Sequence, residues 1–234
     1  MSFLGAVCSV VMSGASAVCS CIASVGAKLG GIVGGAISKL GEIISKIPDL
    51  GIGEVINIVD TVSKIVEVVS KLLGISTNDN TEELGAKALE CDKKPDDFDT
   101  VGEYIKYVEN EIELDKEKFN SMSKEEKAVC SAVGAGILLS GISENKKVDV
   151  EMDFIVEAAK QGFSAKEIND LIDKFKEHGV ALNLSKYLKG ELTSSENKEF
   201  TPVLKEYLKE VNPDLDEDGI EQRIDEMMEI AMRK

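Results

Sequence analysis

The sequence predicts an all-α protein in which a Gly-rich, apolar N-terminal helical module precedes a compact acidic multi-helix domain. Apolar side chains recur at spacings of three and four along most of the chain, not in alternation. Residues able to cap helices precede several of these runs. Charge is divided unevenly: residues 1–75 contain five lysines and five acidic residues, whereas the remainder contains 22 basic and 38 acidic residues and carries the whole net charge of −16.

The first segment is notable for its lack of charge. Residues 1–27 contain no charged side chain, and we predict that residues 2–47 form apolar helix that glycine bends or breaks. The uncharged run exceeds the roughly 20 residues that a transmembrane helix needs, although Ser and Gly are frequent in it. We expect its larger apolar side chains to be buried in a membrane or a partner. They are Phe3, Leu4, Val7, Val10, Val11, Val18, Ile22 and Val25.

Glycines within this segment stand four residues apart. Gly26, Gly30 and Gly34 form the series, and Gly31 and Gly35 follow two of them. Small residues at this spacing let helix backbones approach closely. We therefore predict a helix-packing face at these five glycines, either between membrane helices or inside a water-soluble bundle.

Residues 54–73 have the clearest helical pattern in the chain. Their many β-branched side chains would suit a strand, but strict alternation is absent and the helical period of 3.6 fits better. Gly74 occupies the position of a C-terminal capping glycine. A membrane, a partner helix and a bundle core would each explain the apolar side, which contains Val55, Ile58, Val59, Val62, Ile65, Val66, Val69 and Leu72.

The polar segment 76–80 is the predicted linker between a module at 1–75 and an acidic helical domain at 81–234. Capping pairs begin several of that domain's helices, for example Ser123 with Glu126 and Ser164 with Glu167. The stretch 128–142 is apolar on all sides but short for a bilayer. It therefore predicts a buried central helix, with a second membrane-seeking element as the alternative.

Several function classes conflict with the composition. The charge of −16 opposes binding to nucleic acid, and the absence of Trp disfavours an aromatic ligand pocket. One histidine and five scattered cysteines form no zinc signature or catalytic triad. Asp214, Asp216 and Asp218 match only the first half of a calcium loop. We therefore expect no enzyme activity, metal, cofactor or small-molecule substrate.

The localisation expected from the sequence is a membrane or a macromolecular particle, after synthesis in a reducing cytoplasm. An odd number of irregularly spaced cysteines is not a disulfide framework. A cleaved signal peptide is not expected because no Lys or Arg precedes the apolar run, although Ala15 to Ala17 has the pattern of a cleavage site.

Two functions are compatible with these observations. The first is a membrane-associating or membrane-penetrating protein, such as a pore or lysis factor, or a delivered component of a phage-like or secretion particle. The alternative is a structural protein whose N-terminal helices are buried in a homo-oligomer or particle without lipid. The expected partners are accordingly a lipid bilayer, partner helices or further copies of the chain.

Overall fold

The computed structural model of the protein describes residues 14–76 and 78–232. Within these ranges the chain forms twelve α-helices, one 3-10 helix at Pro95–Asp97 and no strand, so the all-α prediction is confirmed. The α-helices, in chain order, are α1 (Ala15–Leu29), α2 (Gly31–Ser45), α3 (Ile52–Leu72), α4 (Thr81–Glu90), α5 (Val101–Glu111), α6 (Lys116–Ser121), α7 (Lys124–Lys146), α8 (Met152–Lys160), α9 (Ala165–Glu177), α10 (Leu184–Leu188), α11 (Ser194–Val211) and α12 (Glu217–Met232).

The helices divide into two compact units, Met1–Lys147 and Val148–Lys234. The boundary thus differs from the predicted linker at 76–80, which lies inside the first unit. Ser76 is buried and its hydroxyl donates to a Glu109 carboxylate oxygen at 2.5 Å. On the other side of the segment, the Thr81 amide donates to Glu67 at 3.1 Å. Hydrogen bonds therefore tie both ends of the segment to neighbouring helices.

Helix α7 is the centre of the first unit. It contacts α1, α2, α3, α4 and α5, and every residue from 128 to 142 is buried. A helix that is apolar on all sides needs neighbours on all sides, and the surrounding helices supply them. The predicted buried central helix is thus confirmed, but its neighbours include the N-terminal helices that we had assigned to a separate module.

Close contact between α7 and α4 depends on two glycines. A methyl group at Gly85 would overlap the Cys130 carbonyl oxygen, and one at Gly134 would overlap the Thr81 carbonyl oxygen. Each glycine thus admits the backbone of the opposite helix, as small residues do at tight helix crossings. The α3 helix is joined to α7 by a buried hydrogen bond from the Ser63 hydroxyl to the Ser131 carbonyl oxygen at 3.1 Å.

The second unit has its own apolar core. Helix α8 packs with α10 and α12, and α11 packs with α9 and α12. The Phe200 ring packs against Phe175 and stacks on Tyr187, with ring centroids 4.5 and 4.7 Å away. A buried polar group joins two of the helices, because the Gln161 side chain donates to Glu157 at 2.9 Å and to the Met227 carbonyl at 3.0 Å.

Helix starts follow the capping chemistry of the sequence. Ser123 and Ser164 form the predicted capping boxes with Glu126 and Glu167. Thr201 followed by Pro202 has the pattern of a helix start, but both residues lie inside α11, which begins earlier. There Thr193 and Glu196 form a capping box that has the same Thr-x-x-Glu spacing.

Candidate functional site

The two N-terminal helices form an antiparallel hairpin. Gly30 and Gly31, with φ of 70° and 58°, reverse the chain between them in a conformation that glycine adopts readily. A methyl group at Gly26 would lie 2.5 Å from the Gly34 carbonyl oxygen, and one at Gly41 would lie 2.7 Å from that of Cys19. The helices therefore meet backbone to backbone along most of their length.

The predicted glycine face is partly corrected by this geometry. Gly26 and Gly34 pack as expected, whereas Gly30 and Gly31 serve the turn and nothing lies within 4 Å of a methyl group at Gly35. Gly35 faces solvent because it lies next to the packed Gly34 on the helix, about 100° around the axis. Gly41 was missed, and its signal was a small residue seven positions, about two helical turns, after Gly34.

The apolar side of the hairpin is buried within the protein itself. Val18, Ile22 and Val25 are fully buried, and α1 contacts α2, α3 and α7. From the sequence we expected these residues to need a membrane, a partner or another copy. In the structure helix α7 of the same chain gives them a core. The other predicted residues, Phe3, Leu4, Val7, Val10 and Val11, lie outside the described residues.

The outer side of α1 is polar but uncharged. Ser16, Ser20 and Ser24 are exposed at four-residue spacing, and Ala27 continues the row. We call these four residues the serine face. No charged residue occurs in α1 before Lys28, although the chain as a whole has a net charge of −16. The helix therefore exposes an uncharged polar surface ahead of Lys28.

An exposed apolar residue marks the tip of the hairpin. Ile32, just after the turn, is 77% exposed. The segment at Pro95–Asp97 adjoins this tip: a methyl group at Gly31 would overlap the Asp96 carboxylate, and the Lys94 ammonium donates to the Lys28 carbonyl oxygen at 3.2 Å. The tip is therefore held on one side and open on the other.

Helix α3 presents two apolar rows. The inner row, buried in the first unit, contains Val55, Val59, Val62, Val66 and Val69. The remaining predicted residues lie further out. Ile58 and Ile65 are half-buried, and Leu72 is 58% exposed beside Val68 at 47%. The apolar side of α3 is thus wider than the surface that the other helices cover.

One helix in the described part of the chain is long and apolar enough to cross a membrane. It is α7, and 78% of its apolar 18-residue stretch is buried in the protein. Composition and length alone give this result, and the core helix of a water-soluble protein has the same properties. Any membrane contact by α7 would require the first unit to open.

The described residues offer little to covalent or metal chemistry. Burial raises the pKa of the Cys19 and Cys21 thiols, which favours the protonated and less nucleophilic form. Within 14–76 and 78–232, no cluster of His, Cys, Asp or Glu could hold a metal ion. At the partial calcium motif, the Asp216 carboxylate accepts from the Gly219 amide at 2.9 Å, and so caps α12.

The hairpin with its serine face and the outer side of α3 are therefore the surfaces that stand out. The sequence predicts burial for the apolar side chains of both, and the structure adds the distinction between their covered and open sides. Comparisons of the chain with protein-family models, with curated proteins and with solved structures gave no match.

Proposed function

We propose that the protein is a non-enzymatic membrane-associating protein whose first unit stores apolar helices in a water-soluble fold and brings the α1–α2 hairpin into a bilayer. The observation that carries this proposal is the serine face. A helix on the surface of a strongly acidic protein exposes serine and alanine over three turns, where charged residues would be harmless in water.

The proposal follows from the different costs of side chains in lipid. A charged side chain at the centre of a membrane helix costs roughly 2.5–3.5 kcal/mol, whereas apolar residues favour insertion. Helix α1 has apolar side chains on one side and hydroxyls on the other. Serine hydroxyls also form hydrogen bonds between helices in membranes. Both sides of α1 are therefore tolerable in a bilayer.

The glycine contacts would let α1 and α2 move together as one rigid hairpin. The backbones of α1 and α2 pack directly at Gly26, Gly34 and Gly41, and the Ser38 hydroxyl donates to the Ala23 carbonyl at 3.1 Å. Helices of 15 residues are about 22 Å long, less than the ~30 Å of the hydrocarbon core. The hairpin alone would accordingly enter the bilayer without crossing it fully.

The acidic second unit would keep the protein in solution before membrane contact. A pore or lysis factor would use the hairpin to disturb the bilayer, with α7 as a further apolar helix once the first unit opens. A component delivered by a phage-like or secretion particle would use it to reach a target membrane. Both settings require the same surface.

Charges placed on the serine face test the proposal without disturbing the core. We expect the double substitution Ser20→Asp and Ser24→Asp to lower the partition coefficient onto phosphatidylcholine vesicles by about 100-fold or more, because a single charge in lipid already costs roughly 2.5–3.5 kcal/mol. Vesicle pelleting over a range of lipid concentrations measures this coefficient. Because both positions are exposed, the helical circular dichroism should remain unchanged.

The matched control is Ser194→Asp with Ser195→Asp, which adds the same charge at exposed positions in the first turn of α11. We expect vesicle binding of this variant to equal that of the unmodified protein. If the serine-face variant binds vesicles as strongly as the unmodified protein, the hairpin is not the membrane contact. Substitutions at Val18 or Ile22 would not serve, because these core residues support the fold itself.

The second candidate function is assembly without lipid. The same serine face favours it, because an uncharged row of small residues also suits close packing against a helix of another protein or of another copy. In that case the protein would bind no vesicles, and the serine-face substitutions would dissociate a defined oligomer in detergent-free buffer.

A further inference from the structure

The outer row of α3 consists of Ile58, Thr61, Ile65, Val68 and Leu72. These positions follow one another at spacings of three and four over two heptads, the spacing at which two helices pair along a narrow seam. None of the five is fully buried. We infer that the outer row is a self-association surface that binds the same row on a second copy of the chain. This inference does not depend on the membrane proposal.

Thr61 does not interrupt the apolar character of the row. Its hydroxyl donates to the Asn57 carbonyl oxygen of the same helix at 2.8 Å, so the donor is satisfied without a partner. The methyl group remains for packing in the row. The isoleucines at 58 and 65 share one heptad position, at which β-branched residues are common in paired helices.

The charges beside the row favour a partner with no net charge there. Lys64 pairs with Asp60 and Lys71 pairs with Glu67, both within α3 and both at 2.6 Å. A basic partner would gain little attraction, because these acids are already paired with lysines. An anionic surface would be repelled by the net charge of −16. Elsewhere two copies repel each other, because the chain beyond residue 75 carries all of that net charge.

The shape of the row favours a helix over a lipid surface. A bilayer accepts a broad apolar face of any spacing, whereas a heptad row is specific to a helix with the same repeat. A second copy presents a row of equal length, spacing and neutrality, and can bind it with two-fold symmetry. Fourteen residues span about 21 Å, which is small for an interface, so the association should be reversible.

Sedimentation equilibrium of the full-length protein, without lipid or detergent, tests this inference. We expect a monomer–dimer equilibrium between roughly 5 and 500 µM, the range suited to a small interface. Val68→Lys with Leu72→Lys should raise the dissociation constant about tenfold or more, because each copy would have to bury two lysines in the seam. Both residues are exposed, so the circular dichroism should not change.

The control is Ile32→Lys, which replaces a still more exposed apolar residue outside α3 and should leave the dissociation constant unchanged. A monomer throughout the concentration range would overturn the inference. So would a dimer that Val68→Lys with Leu72→Lys does not weaken, because another surface would then form it. A monomer whose vesicle binding is weakened by the α3 lysines would instead assign the row to lipid, and would also overturn the inference.

Discussion

Replacement of Ile137 by Asp should unfold the first unit and leave the second folded. Ile137 is fully buried in α7, which packs against five other helices. An unpaired carboxylate there would be neutralised or would open the core, with a loss of about 4–5 kcal/mol or more from the free energy of unfolding. Because stabilities of single domains are of order 5–15 kcal/mol, the unit would have little or no remaining stability.

Hydrogen exchange followed by mass spectrometry separates the two units. We expect amides in α1 to α5 and in α7 to lose protection, while amides in α8 to α12 keep it, since that unit has its own core. Asn145→Asp is the control, because it adds the same charge at an exposed position of the same helix. Retained protection around Ile137 would show that α7 is not the centre of the unit.

Two adjacent glycines should respond in opposite directions to the same substitution. Gly34→Ala should destabilise the first unit by about 1–3 kcal/mol, because the new methyl group would overlap the Gly26 carbonyl oxygen and force the hairpin apart. Gly35→Ala should stabilise it by about 0.5–1 kcal/mol, because the position is open and alanine favours the helix.

Urea unfolding monitored by circular dichroism measures both effects. Each variant is the other's control, since the two add the same methyl group to the same helix one residue apart. If both variants are destabilised equally, glycine is needed at positions 34 and 35 for its backbone conformation alone. Equal stabilisation would show that α1 and α2 are not in backbone contact.

Local chemistry explains why the helices could be predicted from the sequence. The capping pairs at Ser123 and Ser164, and the periodicity of 52–72, depend on residues within one or two turns of each other. The missed start of α11 belongs to the same class, because Thr193 and Glu196 have the same spacing. Pro202 suits a helix start, yet it lies within α11.

The division of the chain could not be predicted in this way. The neutral front and the acidic remainder differ in composition, but the core of the first unit combines α1, α2 and α3 with α7, which begins 52 residues after α3 ends. Composition reports how each segment interacts with water, not which segments cover each other. For the same reason the sequence does not distinguish the inner row of α3 from the outer row. Nor does it distinguish the glycines that pack against another helix from those that face solvent.

The most direct test is flotation of the full-length protein on phosphatidylcholine vesicles beside residues 148–234 alone. This cut follows the boundary between the compact units, whereas a cut at 76–80 would remove α1 to α3 from α7 and expose a core helix. We expect the full chain to float and the second unit to remain at the bottom of the gradient. Flotation of the second unit, or of neither protein, would contradict membrane binding through the first unit.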